Sequence, residues 1–221
     1  MATLLLRLAG PMQSWGTESR WEIRDAGREP SKSGVVGLLG AALGRSRSDP
    51  VSDLARLRMA VRVEQEGIVK KDFQTAARVA TASEHKLEDV ISTRYYLSDA
   101  EFLVGLEGPE ALLGDLDAHL GAPVYPLYLG RRSYPPSAPV RLPHGLYPSL
   151  GLSEVLRQRP WEPTVGNGRR PDRLRVVEEA APGEGDSVRR DQPLGECFAS
   201  REFGLRHLVT YFVPPPGSAP A

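Results

Sequence analysis

Between Leu8 and Gly44 the chain gathers groups suited to phosphates and bases. Gln13, Ser14 and Trp15 follow a Gly10-Pro11 turn, Arg20 and Arg24 sit in a polar loop with Trp21 and Arg28, and Ser31, Lys32 and Ser33 open an apolar helix. A ring offers a base a stacking face, and a guanidinium offers phosphate a planar fork. A helix N-terminus presents backbone N–H donors to anions. The pattern is not a Walker loop, because GxxxxGK[ST] is absent and Ser-Lys-Ser precedes Gly34, Gly37 and Gly40. Two readings stand for Trp15: a cover for the edge of the core, or a stacking platform for a base. Ser31, Lys32 and Ser33 would hold phosphate on the helix N-terminus.

Two later stretches add charge. Residues 68–94 are polar and carry Lys70, Lys71, Arg78, Lys86 and Arg94 around Phe73, which reads as a protruding basic hairpin or flexible arm of the kind that clamps RNA. Arg131 and Arg132 follow Gly130 at the end of an apolar run, where they hold phosphates or form a plain charged turn. His85-Lys86 is the only visible pair for acid–base cleavage of RNA, and a solvated pair is the simpler reading.

The chain has 221 residues and zero formal net charge, so no global field draws nucleic acid and any RNA site must be locally basic. Of 28 basic residues four are lysines, which leaves 28 − 4 = 24 arginines. Cys197 is the single cysteine, so an intrachain disulfide is excluded and a reducing compartment is expected. His85, His119, His144 and His207 lack metal-ligand spacing, and no metal or other cofactor is expected. No apolar run reaches the ~20 residues of a membrane helix, and the N-terminus enters a strand pattern without a signal-peptide core. A cytoplasmic location without membrane contact follows as the expectation.

The positioning elements are a strand at Thr3–Leu8, a helix from Pro30-Ser31 to Leu43, a short helix to Leu57, and a strand over Met59–Glu64. After the arm come a strand at Tyr95–Glu107, a helix from Pro109 to Leu120, and a strand at Val124–Leu129. The order βαββαβ predicts an α+β, ferredoxin-like (RRM-like) palm over residues 1–135, with a thumb at about 68–94. The RNP1 motif of ordinary RRMs is absent. Residues 133–149 read as a proline-rich wrap, 174–177 and 207–213 as strands with a loop over 182–193 between them, and 214–221 as a disordered tail. Residues 136–213 thus form a smaller β-rich extension.

RLAGPMQSWG at 7–16, PSKSGVVGLLGAALG at 30–44, YLSDAEF at 96–102, LYLGRRSYP at 127–135 and FASREF at 198–203 resemble the CasD group of the CRISPR-associated Cas "five" family, RAMP superfamily. The resemblance covers most of the chain and keeps the family's motif order. It implies a non-catalytic subunit of the type I-E Cascade complex in antiviral defence. Such subunits bind the 5′ handle of mature crRNA, bend it with a thumb and cap one end of the complex. It implies the large subunit and the terminal backbone subunit as partners, with target DNA met only through the complex. It places Gln13, Ser14 and Trp15 in the handle-facing loop, Ser31, Lys32 and Ser33 at a phosphate, and Arg131 and Arg132 in the loop after the fourth strand. Because a subtype I-C relative cuts precursor crRNA, a metal-independent endoribonuclease is the alternative. An RNA-binding module outside CRISPR is a third reading.

Overall fold

The computed structural model describes residues 1–17, 23–80, 87–164 and 170–217. Arg20, Trp21, His85 and Lys86 lie outside the described residues, so their expected roles rest on sequence alone. The fold is a mixed one, with a large antiparallel sheet and a few helices.

The strands are β1 (Ala2–Gln13), β2 (Ile23–Arg24), β3 (Arg58–Gln65), β4 (Ile68–Ala80), β5 (Leu87–Gly108), β6 (Arg141–Tyr147), β7 (Leu174–Glu179), β8 (Ser187–Pro193) and β9 (Phe203–Val213). The helices are α1 (Lys32–Ala42), α2 (Ser52–Ala55), α3 (Glu110–Gly121) and α4 (Leu152–Gln158). The main sheet runs β6-β1-β5-β3-β7-β9-β8, with β2 and β4 also paired to β5. Among the described residues only the short β2–β5 pair is parallel.

Side chains alternate across a strand, and the two cores follow that alternation. Leu4, Leu6 and Leu8 of β1 pack with Val35, Val36 and Leu39 of α1 and with Leu113 and Leu116 of α3. Leu5 faces the other way, onto Leu152, Val155 and Leu156 of α4. Both sheet faces are therefore covered, which is why β1 reads as a continuous apolar run.

Four expectations are corrected. First, β1 does not stop at Gly10-Pro11 but runs on to Gln13. Strand β6 pairs with β1 only between Thr3 and Leu6, so Pro11 lies where β1 has no second ladder and its missing N–H costs no bond. Second, Val124–Leu129 is not a strand. Pro123 precedes it and Pro126 interrupts it, and the Val124 and Tyr125 N–H groups donate to Ala42 and Ala41 carbonyls at the end of α1. The place beside β1 belongs to β6, inside the stretch expected to be a proline-rich wrap. Third, Ser187–Pro193 is strand β8 rather than loop, paired to β9. Fourth, the start of the expected disordered tail is held: the Pro215 and Pro216 carbonyls accept hydrogen bonds from Arg170 at 2.9 and 2.8 Å. Residues 218–221 lie outside the described residues.

Candidate nucleic-acid interface

The polar stretch expected as an arm folds as a two-stranded ribbon. β4 pairs with the first half of β5 from Ile68↔Ser98 out to Ala80↔Leu87. Nearly every residue of β4 is exposed. Directly opposed residues share a face, so one face carries Lys70 with Tyr96, then Asp72 with Arg94, then Gln74 with Ser92. Short β2 adds Arg24 in register with Arg94. Arg94 Nε is held by Ser92 Oγ at 3.2 Å, and Asp72 accepts from Gln74 Nε2 at 2.7 Å. Arg24 and Lys70 are exposed beside them. Arg78 lies farther out, also exposed, in a β-bulge with φ +55°; its N–H donates to Asp89.

A second loop meets the ribbon at its root. The Ser14 N–H donates to the Leu129 carbonyl at 3.0 Å, and Ser14 Oγ and Arg131 Nη2 both donate to the Tyr95 carbonyl, at 3.4 and 3.1 Å. Arg131 Nη1 donates to the Tyr134 hydroxyl, and its guanidinium lies 5.6 Å from the centre of that ring. Arg132, next along, is exposed. Gly130 makes this approach possible, because its φ is +88° and a Cβ there would overlap the Ser14 carbonyl oxygen. Gly130→Ala is accordingly expected to cost about 1–3 kcal/mol, read as a lowered melting temperature. Unchanged melting would show that the loop shifts without strain.

The structure therefore brings together Ser14, Arg24, Arg94, Arg131 and Arg132. It withdraws others from solvent. Trp15 is 1% exposed, packs against Gly34 of α1, and donates its indole N–H to Gln13 Oε1 at 3.0 Å. Gln13 in turn donates to the Leu8 and Ala100 carbonyls at 3.2 and 2.7 Å. Of the two readings of Trp15, the cover for the core edge is the one this geometry matches. Neither Gln13 nor Trp15 presents a face to a base.

The N-terminus of α1 is also taken. Ser31 is buried, and the Lys32 N–H donates to Asp191 Oδ2 at 2.9 Å, so a carboxylate of β8 holds the position expected for phosphate. Lys32 Nζ pairs with Glu179 at 2.9 Å, and Arg206 closes the cluster on Asp191 and Glu179. Burial pushes the Lys32 ammonium below its ordinary range, partly offset by Glu179. Burial alone would raise the Asp191 carboxyl, but Arg206 outweighs it and holds that group below the usual carboxylate range. Ser33 is half-buried in the first turn of α1. Sequence reasoning placed Lys70 in the arm but missed Tyr96, whose signal was the two-residue alternation beside Arg94. It also missed Asp191, which carries no local signal.

Among the described residues, no group of three or more His, Cys, Asp or Glu side chains could hold a metal ion. No helix there is long and apolar enough to cross a membrane.

A family model described as CRISPR-associated protein (Cas_Cas5) matches residues 3–209. The chain belongs to the CRISPR-associated Cas5 family. This family member is 38% identical over 158 residues to the CRISPR system Cascade subunit CasD of Escherichia coli (strain K12), a match spanning 63% of this chain and 69% of that protein. A solved structure described as a crystal structure of Cas protein superposes with TM-score 0.78 at 45% identity, covering 99% of this chain and 100% of that one. A chain from a CRISPR RNA-guided surveillance complex superposes with TM-score 0.78 at 29% identity, covering 97% and 91%.

Proposed function

We propose that this Cas5-family chain is a non-catalytic subunit of a Cascade-type surveillance complex in CRISPR defence. It holds the 5′ handle of mature crRNA at the root of the β4–β5 ribbon and caps one end of the assembly. Its neighbours there are the large subunit and the terminal backbone subunit, and target DNA is met through the complex. Membership of the family supports the role. The observation that carries the site is the convergence of Arg24, Lys70, Arg94, Arg131 and Arg132 on one root, in a chain of zero net charge.

The order β1-α1-β3-β5-α3-β6, with β6-β1-β5-β3 adjacent in the sheet, supports reading residues 1–147 as a ferredoxin-like palm and the ribbon as its thumb. With β6 taken as the fourth strand of that palm, the palm would run to Tyr147 rather than to 135. The later strands β7, β9 and β8 extend the same sheet.

Guanidinium and ammonium groups bind phosphates sequence-indifferently, so base choice must come from the surrounding side chains. Binding of a short RNA bearing the handle, against a scrambled handle, tests this at two salt concentrations. Handle-selective binding without cut products is expected. Each of Arg24→Ala and Arg132→Ala should reduce the salt slope by about 0.7, the value for one phosphate contact on a single strand. Equal weak binding of both RNAs with unchanged slopes would place the handle elsewhere. Specific cleavage without metal would make the chain a processing endoribonuclease.

A further inference from the structure

The second face of the ribbon differs from the first. Strand parity puts Lys71 opposite Tyr95, Phe73 opposite Thr93 and Thr75 opposite Ile91, with Ile23 of β2 beside Thr93. Phe73 is 63% exposed. Among the described residues β4 pairs only with β5, and β2 only with β5, and β4 is exposed along nearly its whole length. Thr93 is too small to cover the ring, so one face of Phe73 stays open. The strip interleaves an exposed aromatic ring, a lysine, a half-buried tyrosine and two threonine hydroxyls with the exposed side chains of Ile23 and Ile91; an open ring flanked by a cation and hydroxyls is what single-stranded nucleic acid meets on stacking platforms. A wholly apolar strip would suit a protein surface instead, but Lys71 and the two threonines break this one up.

We propose that Phe73 is a stacking residue for one unpaired nucleobase, with Lys71 one step nearer the root for the adjoining phosphate. The ribbon then grips the strand on two faces: backbone on the Lys70–Arg94–Arg24 face, a base on the Phe73 face. This rests on the RNA-binding reading above and adds a residue and a contact type to it. A stacked base contributes no charge, so loss of the ring weakens binding without altering its salt dependence.

The test compares the wild-type chain with Phe73→Ala and Phe73→Trp, using a short single-stranded RNA containing 2-aminopurine and a blunt duplex of the same sequence. Phe73 is exposed, so neither variant disturbs the core. Phe73→Ala should weaken single-strand binding about 5- to 150-fold, with an unchanged salt slope, unchanged duplex binding and no quenching of 2-aminopurine. Phe73→Trp should restore affinity and quenching. Unchanged single-strand affinity in Phe73→Ala, where the wild type binds, overturns the stacking role alone. If the variant keeps its RNA affinity yet loses association with other subunits, Phe73 belongs to a protein interface and the proposal fails. A wild-type chain that binds neither RNA overturns the RNA-binding reading and this one together.

Discussion

Trp15→Ala will lower folding stability by about 3–5 kcal/mol, the cost of emptying a large aromatic site in a core. For a chain of this size that is roughly 6–20 °C in melting temperature. The ring lies between β1 and α1, close enough to Gly34 that a Cβ on that glycine would sit 2.8 Å from it. Its indole N–H is one end of a buried chain that passes through Gln13 to the Leu8 and Ala100 carbonyls. Trp15→Phe should cost less, but it leaves Gln13 Oε1 without its donor. Denaturant midpoints decide the matter. A Trp15→Ala chain that melts like wild type but loses RNA would return Trp15 to the base-stacking role.

Asp191→Ala has a comparable expected cost, about 3–5 kcal/mol, because it removes one partner of a buried charge cluster and strands the others. Asp191 is 1% exposed. It accepts from the Lys32 backbone at 2.9 Å and from Arg206 at 2.9 and 2.7 Å. It thereby ties β8 and β9 to the first turn of α1. Glu29 does similar work just before the helix, paired with Arg175 and Arg189. Burial would raise the Glu29 carboxyl, but the two guanidinium groups hold it below the ordinary value.

The pH dependence follows from these directions. Carboxyls with depressed folded-state pKa contribute stability that is fully present above their unfolded values, near pH 4. That stability is lost as pH falls through the folded values. Glu64 has the opposite sign: burial raises its pKa despite Arg62 at 2.5 Å, so its contribution is present at low pH and lost as pH rises through the raised value. The stability gap between wild type and Asp191→Asn should therefore narrow on acidification below about pH 4. A gap constant down to pH 2 would mean that Asp191 is not ionised in the fold.

Periodicity made β1, α1, β3, the inner half of β5, α3 and β9 legible in the sequence, because each carries a strong apolar pattern. Val124–Leu129 misled for the same reason: an apolar run, even one interrupted by Pro126, looks like a strand until its first N–H groups are found on α1. β8 was missed because SVRRDQP is polar and carries Pro193, features an edge strand tolerates. At the site, the arginines of exposed loops and of the ribbon were readable as charge. Burial of Trp15 at the core edge was one of the two readings open from sequence, but the buried fates of Gln13 and Lys32 were not legible, since those depend on Ala100, Asp191 and Glu179, far away in the chain.

The long β5 has a consequence for how this arm can change in length. Its 22 residues run from the ribbon straight into the middle of the main sheet, so no flexible joint separates the two. An insertion of two residues in either ribbon strand would keep every outward side chain on its own side. An insertion of one would exchange the cationic and aromatic faces beyond that point. The bulge between Ala76 and Val79, where β4 advances one residue more than β5, is already one such odd step. The segment inward of it, which carries Lys70, Phe73 and Arg94, should therefore tolerate only even changes in length, whereas the tip beyond can vary freely.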